Sequence, residues 1–524
     1  MNLDLQVCSR ARQTRDARFD GKFFIAVVST RIYCRPICPV RTLKESSVRY
    51  YASAAAAAEA GYRPCLRCRP ESSPGTPAWL GTSSTVSRAL RLISEDGLEN
   101  GVEALADRLG VGSRHLRRLF LKHLGATPIA VAHTRRLHFA KKLIDETTLP
   151  MYEVALASGF GSIRRFNAGI LKVYHRTPTQ IRHLARQPAT QPEHHYLFRL
   201  SFRPPFHWQA MLDFLALRAT PGVEAVEAGV YRRTIFLPGG SSQEKQDRVG
   251  HIEVSRAEDG AALLLRIAFS DPQSLFFIVE RVRAMFDLNA DWSTIAQCLR
   301  ADPALAHSVD ADPGVRVPGA WNGFELAVRA ILGQQITVKG ATTLAGRLAA
   351  SFGKPYDGPA GLSHLFPTPE ALAQAPLVNL GLTGTRVETI RALARAAARG
   401  KSNQGSLNFD RAGDAETTLA RLLEIPGIGH WTAQYVAMRA LGEPDAFPSS
   451  DLGLLKALAL ETPRDLEQRS QSWRPWRAYA AMYLWRMAAP SGGRAAVPKR
   501  EQLDWAPENI SRETRRSADA PVKT

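Results

Sequence analysis

The hydrophobic pattern changes twice along the chain. Over residues 87–186, leucine and alanine recur at spacings of three and four, which is the period of an amphipathic helix. From Tyr196 to Phe202 apolar and polar residues alternate, and this period of two predicts a strand. Further strands are expected over residues 232–237, 251–255 and 262–269, and helices over 208–217 and 275–285. From Pro318 onward the pattern is mostly helical, so the sequence predicts two helical parts on either side of an α+β part.

Stretches of small and polar residues separate these parts. Residues 71–84 are rich in serine, proline, glycine and threonine, and residues 187–193 contain two prolines. Both stretches are predicted linkers. A chain of 524 residues is long enough for about three or four domains.

The formal charge of +19 is concentrated in the first part of the chain. Residues 1–190 hold 30 lysines and arginines against 14 acidic residues. Such a surplus predicts a polyanionic partner, and double-stranded DNA fits better than a membrane because the sequence has no long apolar segment. On charge alone, a basic surface without a partner is the alternative.

Four of the six cysteines form two close pairs, Cys34 with Cys38 and Cys65 with Cys68. Each pair can hold a metal ion from a single turn, and four thiolates match a closed tetrahedral Zn²⁺ site. Two disulfides are the alternative. Because no signal peptide precedes the pairs, we expect a reducing, cytoplasmic setting and one zinc ion.

The residues around these cysteines are more specific than their spacing. Residues 32–38 read Ile-Tyr-Cys-Arg-Pro-Ile-Cys, and residues 61–68 read Gly-Tyr-Arg-Pro-Cys-Leu-Arg-Cys. They resemble the N-terminal zinc domain of the Ada family, which senses alkylated DNA. The resemblance implies that Cys34 is a zinc-bound acceptor of methyl groups from methylphosphotriesters. It also implies contacts to the DNA backbone from Thr30, Arg41 and Arg63.

A charge argument supports this interpretation. Zinc keeps a bound sulfur deprotonated at neutral pH, so Cys34 needs no separate base. Four thiolates on Zn²⁺ carry two formal negative charges, and methylation of one thiolate leaves a single negative charge. Affinity for the DNA backbone is therefore expected to rise. One departure from the family is Pro39, at a position where arginine can occur.

Two helix-turn-helix units are predicted in the first helical part, at residues 102–113 and 151–162, each followed by a basic helix. In each unit a turn of small residues lets two short helices cross, which leaves the second helix free to enter a major groove. A single unit is a weak indication, since the same spacing also occurs in packed cores. Two units about fifty residues apart, closed by residues 174–178 (Tyr-His-Arg-Thr-Pro), resemble the AraC family. The resemblance implies promoter DNA and RNA polymerase as partners.

Residues 423–433, Leu-Glu-Ile-Pro-Gly-Ile-Gly-His-Trp-Thr-Ala, predict a helix-hairpin-helix turn. Gly427 and Gly429 let the backbone approach a phosphate, and the N–H groups that begin the next helix bind an anion without reading sequence. A purely structural turn is the alternative, because many helix connections hold two glycines.

Asp451 follows a loop of small residues and begins a predicted helix, so a helix N-cap is the simplest interpretation. Its position about twenty residues after the hairpin, however, resembles that of the single essential aspartate of the helix-hairpin-helix glycosylase superfamily. Residues 315–485 resemble the AlkA family of 3-methyladenine DNA glycosylases. The preceding α+β part has no motif with chemistry in it, and it resembles the N-terminal domain of that family.

The AlkA resemblance implies a base pocket formed by Trp431, Tyr435 and Trp485, for which core packing is the alternative. An alkylated purine is already cationic and leaves without a general acid, so an ionised Asp451 has only to stabilise the oxocarbenium ion or orient water. Aromatic rings favour a cationic base over a neutral one by roughly 0.5–2 kcal/mol.

The same resemblance implies DNA contacts from Gln334 and Gln335. Gln335 stands where AlkA has its wedging residue, and Leu452 stands where AlkA has an aromatic residue. Lyase-active relatives place a lysine at the position of Trp431, so we expect a monofunctional enzyme. The sequence has no Pro-Cys-His, which implies that the methylguanine methyltransferase half of Ada is absent.

We therefore expect a multidomain protein that couples a methylation-activated transcription regulator to a DNA glycosylase. Its predicted parts are a zinc-bound α/β domain (1–78), an all-α double helix-turn-helix (84–186), an α+β domain (194–310), an all-α glycosylase domain (315–489) and a disordered tail (490–524). Two alternatives stay open at this point. One is an activator whose glycosylase half only binds DNA, and the other is a repair enzyme whose sensor half no longer signals.

Overall fold

The N-terminal part folds around a small sheet in which one strand pair is parallel. Its elements are α1 (Leu5–Gln13), β1 (Phe24–Val27), β2 (Ile32–Cys34), β3 (Val48–Tyr51), α2 (Ala54–Glu59) and β4 (Arg63–Pro64). The strand order is β3-β1-β2-β4, and only the β2–β4 pair is parallel among these described strands. Parallel strands end at the same edge, so the residues that end β2 and follow β4 come together.

The next part is helical. It consists of α3 (Ser84–Asp96), α4 (Gly101–Arg108), α5 (Ser113–Leu124), α6 (Pro128–Glu146), α7 (Met151–Ala157), α8 (Ile163–Tyr174) and α9 (Pro178–Leu184). The predicted helix-turn-helix units are confirmed as α4–α5 and α7–α8, and α6 connects them. Gly110 and Gly159 adopt φ of +68° and +75° in the two turns, a conformation that favours glycine.

An antiparallel sheet and four helices make up the described α+β part. They are β5 (His195–Ser201), α10 (Trp208–Ala216), β6 (Glu224–Glu227), β7 (Val230–Leu237), β8 (Arg248–Arg256), β9 (Ala262–Phe269), α11 (Leu275–Met285), α12 (Trp292–Leu299) and α13 (Pro303–Ala311). The strand order is β5-β9-β8-β7-β6. The predicted strands and helices of this part are confirmed, and β6 was missed. Its first residue, Glu224, is buried beside Arg233 and Arg329, so a charged residue occupies a core position and hides the alternation.

The last part is helical. It consists of α14 (Gly323–Leu332), α15 (Val338–Phe352), α16 (Pro369–Gln374), α17 (Gly384–Ala398), α18 (Ala415–Leu423), α19 (His430–Val436), α20 (Leu452–Ala457), α21 (Pro463–Arg469) and α22 (Arg477–Ala488). A π-helical turn, Ala437–Leu441, continues α19. Two apolar clusters form the core here, one around α14–α19 and one around α12, α13, α20 and α22. Trp485 packs against both clusters, which places it at their boundary.

This computed structural model describes residues 3–40, 44–74, 84–96, 98, 100–185, 192, 194–237, 248–398, 407, 409 and 415–488. They lie in one compact unit, Met1–Ala488. A second unit, Ala489–Thr524, lies outside the described residues, and the predicted disordered tail lies there with it.

Buried polar contacts join the N-terminal part to the rest of this unit. Lys22 pairs with Asp291 at 2.6 Å, and Arg203 Nε donates to the Asp20 carbonyl at 2.8 Å. On the side of α6, the Tyr33 hydroxyl and His138 Nε2 are 2.8 Å apart. Burial lowers the pKa of His138 to about 4, because the charged imidazolium would lose its hydration there.

The depressed pKa of His138 predicts a pH-dependent stability. Between pH 6.5 and pH 4 the unfolded chain binds a proton that the folded chain does not, so the free energy of unfolding falls as the pH is lowered through this window. At pH 5 the expected cost is about 2 kcal/mol. Urea unfolding at pH 7 and pH 5 should show a smaller loss for His138→Gln than for the wild type. Equal losses in the two proteins would show that His138 does not titrate on unfolding.

Candidate functional site

The four paired cysteines converge at the edge where β2 and β4 end. Cys34 is the last residue of β2, and Cys65 directly follows β4. The four Sγ atoms of Cys34, Cys38, Cys65 and Cys68 lie within 4.8 Å of one another. A tetrahedral zinc site has Zn–S distances of about 2.3 Å and so separates its sulfurs by about 3.8 Å, which this cluster can satisfy.

The electrostatics of the cluster favour a cation. Hydrogen bonding from Cys34 lowers the pKa of Cys38 to about 7, and contacts with Cys34 and Cys38 hold the pKa of Cys65 well below its ordinary value. The same contacts raise the pKa of Cys34 and of Cys68. Four thiolates at this distance would repel one another, so holding all four sulfurs deprotonated requires a divalent cation between them. The four cysteines therefore fit a zinc ion.

The structure places the predicted backbone-binding residues of this part unequally. Thr30 is exposed in the turn between β1 and β2, and Arg63 is half-buried in β4. The Arg63 N–H donates to the Arg31 carbonyl at 2.8 Å, so the two predicted contacts lie along one edge of the sheet. Arg41 lies outside the described residues.

Both second helices of the helix-turn-helix units present a basic face to solvent. The exposed residues are Arg114, His115, Arg117, Arg118 and Lys122 on α5 and Arg164, Arg165 and Lys172 on α8. Their opposite faces are buried through Leu116 and Phe120 on α5 and Phe166 and Ile170 on α8. Each helix therefore packs one apolar face into the core and exposes basic residues on the opposite face.

The predicted hairpin connects α18 and α19, and its two glycines differ. Gly427 adopts φ +89°, and a Cβ there would lie 2.1 Å from Thr389 Oγ1. Gly429 has an ordinary φ of −93° as the N-cap of α19, and a Cβ there would meet nothing within 4 Å. Gln334, predicted to contact DNA, donates through Nε2 to the Gly427 carbonyl at 3.0 Å and to Thr432 Oγ1 at 3.1 Å. The Gln334 side chain therefore braces the hairpin.

This difference predicts separate effects for two alanine substitutions. Gly427→Ala should cost about 1–3 kcal/mol of stability, because the backbone is left-handed and the methyl group overlaps Thr389. Gly429→Ala should fold normally but bind duplex DNA about tenfold more weakly, if a phosphate approaches the hairpin at Gly429 as the sequence predicts. Urea unfolding and fluorescence anisotropy with abasic-site DNA would measure the two effects. Wild-type DNA binding by Gly429→Ala would leave the hairpin a structural turn only.

Asp451 caps α20 and also faces two tryptophans. Its Oδ1 accepts from the N–H groups of Gly453 at 2.8 Å and Leu454 at 3.1 Å, and from Trp485 Nε1 at 3.0 Å. Its Oδ2 accepts from Trp431 Nε1 at 2.8 Å. The N-cap interpretation is thus confirmed, but it uses one oxygen. Oδ2, with a single donor among the described residues, has capacity left for a further interaction.

The three predicted pocket aromatics lie together beside this carboxylate. The rings of Trp431 and Tyr435 are stacked, with centroids 5.2 Å apart and planes 7° from parallel. Tyr435 and Trp485 meet edge to face at 6.2 Å. Trp431, Trp485 and Asp451 are all partly exposed, and Tyr435 is buried. Solvent therefore reaches this group, which we call the aromatic recess, at Trp431, Trp485 and Asp451 but not at Tyr435.

Sequence reasoning missed three residues behind the pocket. Arg439 Nη1 donates to the Tyr435 hydroxyl at 2.6 Å, and Phe214 of α10 lies 6.5 Å from the Trp485 ring. The Arg218 guanidinium stacks on Phe214 at 3.8 Å. Burial alone would raise the pKa of Tyr435, but the charges of Arg439 and Arg218 outweigh it and hold the pKa below its ordinary value. The spacing of four residues from Tyr435 could have revealed Arg439, whereas no local pattern marks α10.

The two departures from the AlkA family pattern, Gln335 and Leu452, both lie at the surface. Gln335 adopts φ +57° in the exposed turn between α14 and α15, with Ile336 beside it 37% exposed. Leu452 follows the carboxylate and is 72% exposed. Gln335 is therefore not a core residue. Its backbone is left-handed, and its side chain is exposed at the tip of the turn.

Comparison with known proteins supports this assembly. Four domain families match consecutive parts of the chain: the metal binding domain of Ada over residues 7–71, a helix-turn-helix domain over 105–183, the AlkA N-terminal domain over 197–322, and the HhH-GPD superfamily of base excision DNA repair proteins over 328–471. Within the described residues, every helix is too short or too polar to span a bilayer.

Three relatives cover different shares of the chain. The Mycobacterium tuberculosis protein named "Probable bifunctional transcriptional activator/DNA repair enzyme AlkA" is 42% identical over 494 residues, which is 93% of this chain and 97% of the relative. DNA-3-methyladenine glycosylase 2 of Escherichia coli is 33% identical and covers 55% of this chain and 96% of the relative. The Escherichia coli transcriptional activator and repair enzyme Ada is 40% identical over 22% of this chain and 32% of the relative. Four domain families match the chain, and one relative is 42% identical over 93% of this chain. The chain therefore belongs to the family of AlkA-type bifunctional transcriptional activator/DNA repair enzymes.

Proposed function

We propose that this protein hydrolyses the N-glycosidic bond of alkylated, 3-methyladenine-type bases in double-stranded DNA and reports backbone methylation through Cys34. The observation that supports the first activity best is the Asp451 carboxylate, whose Oδ2 stands beside stacked aromatic rings with one donor, from Trp431. A carboxylate and an aromatic recess are what the chemistry of a cationic leaving base requires.

In the proposed reaction the damaged nucleotide leaves the helix and its base enters the recess beside Trp431 and Tyr435. The C1′–N bond breaks, and its electron pair neutralises the positive charge of the alkylated base. Asp451 Oδ2 stabilises the positive charge that develops on the sugar, and water then adds at C1′ and loses a proton. No general acid is required, because the base departs as a neutral molecule.

Trp431 has two roles in this proposal. Its ring is one wall of the base recess, and its Nε1–H holds the Oδ2 atom that faces the sugar. Because a tryptophan occupies the position of the lyase lysine, the reaction ends at an abasic site without a Schiff base. We propose that Gln335, which is exposed at the tip of its turn, enters the gap left by the extruded base.

For the second activity we propose one zinc ion held by Cys34, Cys38, Cys65 and Cys68. When bound, the ion keeps the sulfurs as thiolates at neutral pH. Cys34 Sγ attacks the methyl carbon of a methylphosphotriester, an S–C bond forms, and the C–O bond breaks with its electron pair on the phosphate oxygen. Thr30, Arg41 and Arg63 would hold the backbone, and the lost negative charge at the cluster strengthens binding.

The basic helices α5 and α8 would then bind promoter DNA and bring RNA polymerase to it. We propose the parts 1–78, 84–186, 194–310 and 315–489 as the functional domains. One apolar cluster runs from α6–α8 into the β5–β9 sheet, so the second and third parts share a core.

The proposed glycosylase is tested by incubating the full chain with duplex DNA treated with dimethyl sulfate and identifying released bases by chromatography. Release of 3-methyladenine is the expected result. Tight binding to the same DNA without base release would favour the alternative, in which the glycosylase half of an activator only binds DNA.

A further inference from the structure

A connector of ten residues, 442–451, runs from the π-helical end of the pocket helix (His430–Leu441) to Asp451, the proposed catalytic aspartate. Upstream, Tyr435 and Arg439 lie on the continuous helical stretch His430–Leu441. The connector begins at Gly442, with φ +70°, and ends at Asp451. Its conformation therefore sets the distance between the aromatic wall and the carboxylate.

The connector is bonded to the pocket helix near its start and at its middle. The Glu443 N–H donates to the Ala437 carbonyl at 3.0 Å. Further along, the Phe447 N–H donates to Gln434 Oε1 at 3.1 Å. A displacement near Glu443 would thus be transmitted to the pocket helix and to the loop that carries Asp451.

A residue from another part of the chain holds this connector. Arg91, on α3 of the first helical part, donates through Nη1 to the Leu441 carbonyl at 3.2 Å and pairs through Nη2 with Glu443 Oε1 at 3.1 Å. The two side chains are only 20% and 25% exposed, so the pair is partly shielded from solvent. One guanidinium therefore fastens the last turn of the pocket helix and the first residues of the connector together.

We propose that Arg91 is a positioning residue of the base-excision site. It is supplied by the regulatory half of the chain, residues 1–186. It touches neither base nor sugar. It acts through Leu441 and Glu443, which set how Trp431 and Tyr435 face Asp451. The proposal rests on the proposed glycosylase function, and it means that the regulatory half contributes to the rate of base excision as well as to DNA binding.

A matched control exists on the neighbouring helix. Arg135 of α6 also bridges the two halves, donating at 3.0 Å both to the Leu90 carbonyl and to Glu280. Its pair is 28% and 22% exposed, close to the values for Arg91 and Glu443. Glu280 lies on α11, away from the connector, and Leu90 precedes Arg91 on α3. Arg135→Met therefore loosens the junction and the helix that carries Arg91, but leaves the contacts of Arg91 with Leu441 and Glu443 in place.

The test compares Arg91→Met, Glu443→Ala and Arg135→Met in the full chain. Single-turnover release of 3-methyladenine from duplex DNA is followed at increasing enzyme concentration. We expect Arg91→Met and Glu443→Ala to lower the maximal rate about tenfold with little change in the half-saturating concentration, because a small misplacement of reacting groups slows chemistry more than binding. Arg135→Met should stay within about twofold of the wild type, at a similar thermal midpoint.

Equal rate losses for Arg91→Met and Arg135→Met would overturn the proposal, since the effect would then belong to the junction as a whole. A maximal rate for Arg91→Met within twofold of the wild type would also overturn it. If the wild-type chain releases no base, the glycosylase function itself fails, and that outcome is visible before any variant is compared.

Discussion

Asp451→Asn is expected to lower the single-turnover rate of 3-methyladenine release by about a hundredfold to a thousandfold. The substitution preserves the volume of the side chain but removes the negative charge that stabilises the oxocarbenium ion. It also disturbs the geometry, because an amide nitrogen in place of Oδ2 would point a donor at the Trp431 Nε1–H. Binding to abasic-site DNA should change little. Base release by quenched flow and binding by fluorescence anisotropy would measure the two quantities.

Asp302 offers a matched control for this prediction. It is also a helix N-cap, its Oδ1 accepts from the Ala304 N–H at 2.9 Å, and its Oδ2 accepts from Trp473 Nε1 at 2.6 Å. Asp302 is 4% exposed, also pairs with Arg469, and among the described residues makes no hydrogen bond or ion pair to Trp431, Tyr435 or Trp485. Asp302→Asn should therefore lower stability and leave base release unchanged. A rate for Asp451→Asn above about a tenth of the wild type would mean under ~1.4 kcal/mol of transition-state stabilisation and would refute the catalytic assignment.

Cys34→Ser is expected to abolish methyl transfer from DNA that carries methylphosphotriesters. A cysteine thiol loses its proton in the cluster and becomes a thiolate, whereas a serine hydroxyl keeps its proton, so the nucleophile is lost. The wild-type chain should gain one methyl group on Cys34, located by mass spectrometry of peptides. Its affinity for DNA should then rise, most clearly at low salt, because charges beyond roughly 10 Å are screened at 0.1 M.

Cys8→Ser is the control for the cysteine prediction. Cys8 is buried in the N-terminal part, and burial raises the pKa of its thiol to about 11, so it should not react. Within the cluster Cys34 is only 8% exposed and Cys38 is more open, which makes the methylated position informative. A methyl group on Cys38, Cys65 or Cys68, or methylation of Cys34 with unchanged DNA affinity, would contradict the proposed sensor mechanism.

Local sequence patterns were sufficient to predict many of the elements and candidate site residues of this protein. The cysteine pairs reveal a metal centre because the spacing of ligands within a turn is a short-range property. The two helix-turn-helix units follow from helical periodicity and small-residue turns, and the hairpin glycines from the same kind of local geometry. At Asp451 both interpretations drawn from the sequence proved compatible, since an N-cap needs one carboxylate oxygen and leaves the other.

The contacts that complete the sites depend on segments far apart in the chain. Phe214 of α10 and Arg218 just after it pack beside the aromatic recess, and Arg91 bonds to Leu441 from 350 residues away. Gln334 could be placed near DNA by resemblance, but its bonds to the hairpin appear only when α14 packs beside it. Ligand spacing, helix period and turn conformation depend on residues that are close together in the chain, so the sequence predicts them directly. Which distant side chains brace a pocket follows from how apolar faces pack against one another, and that is a property of the folded chain.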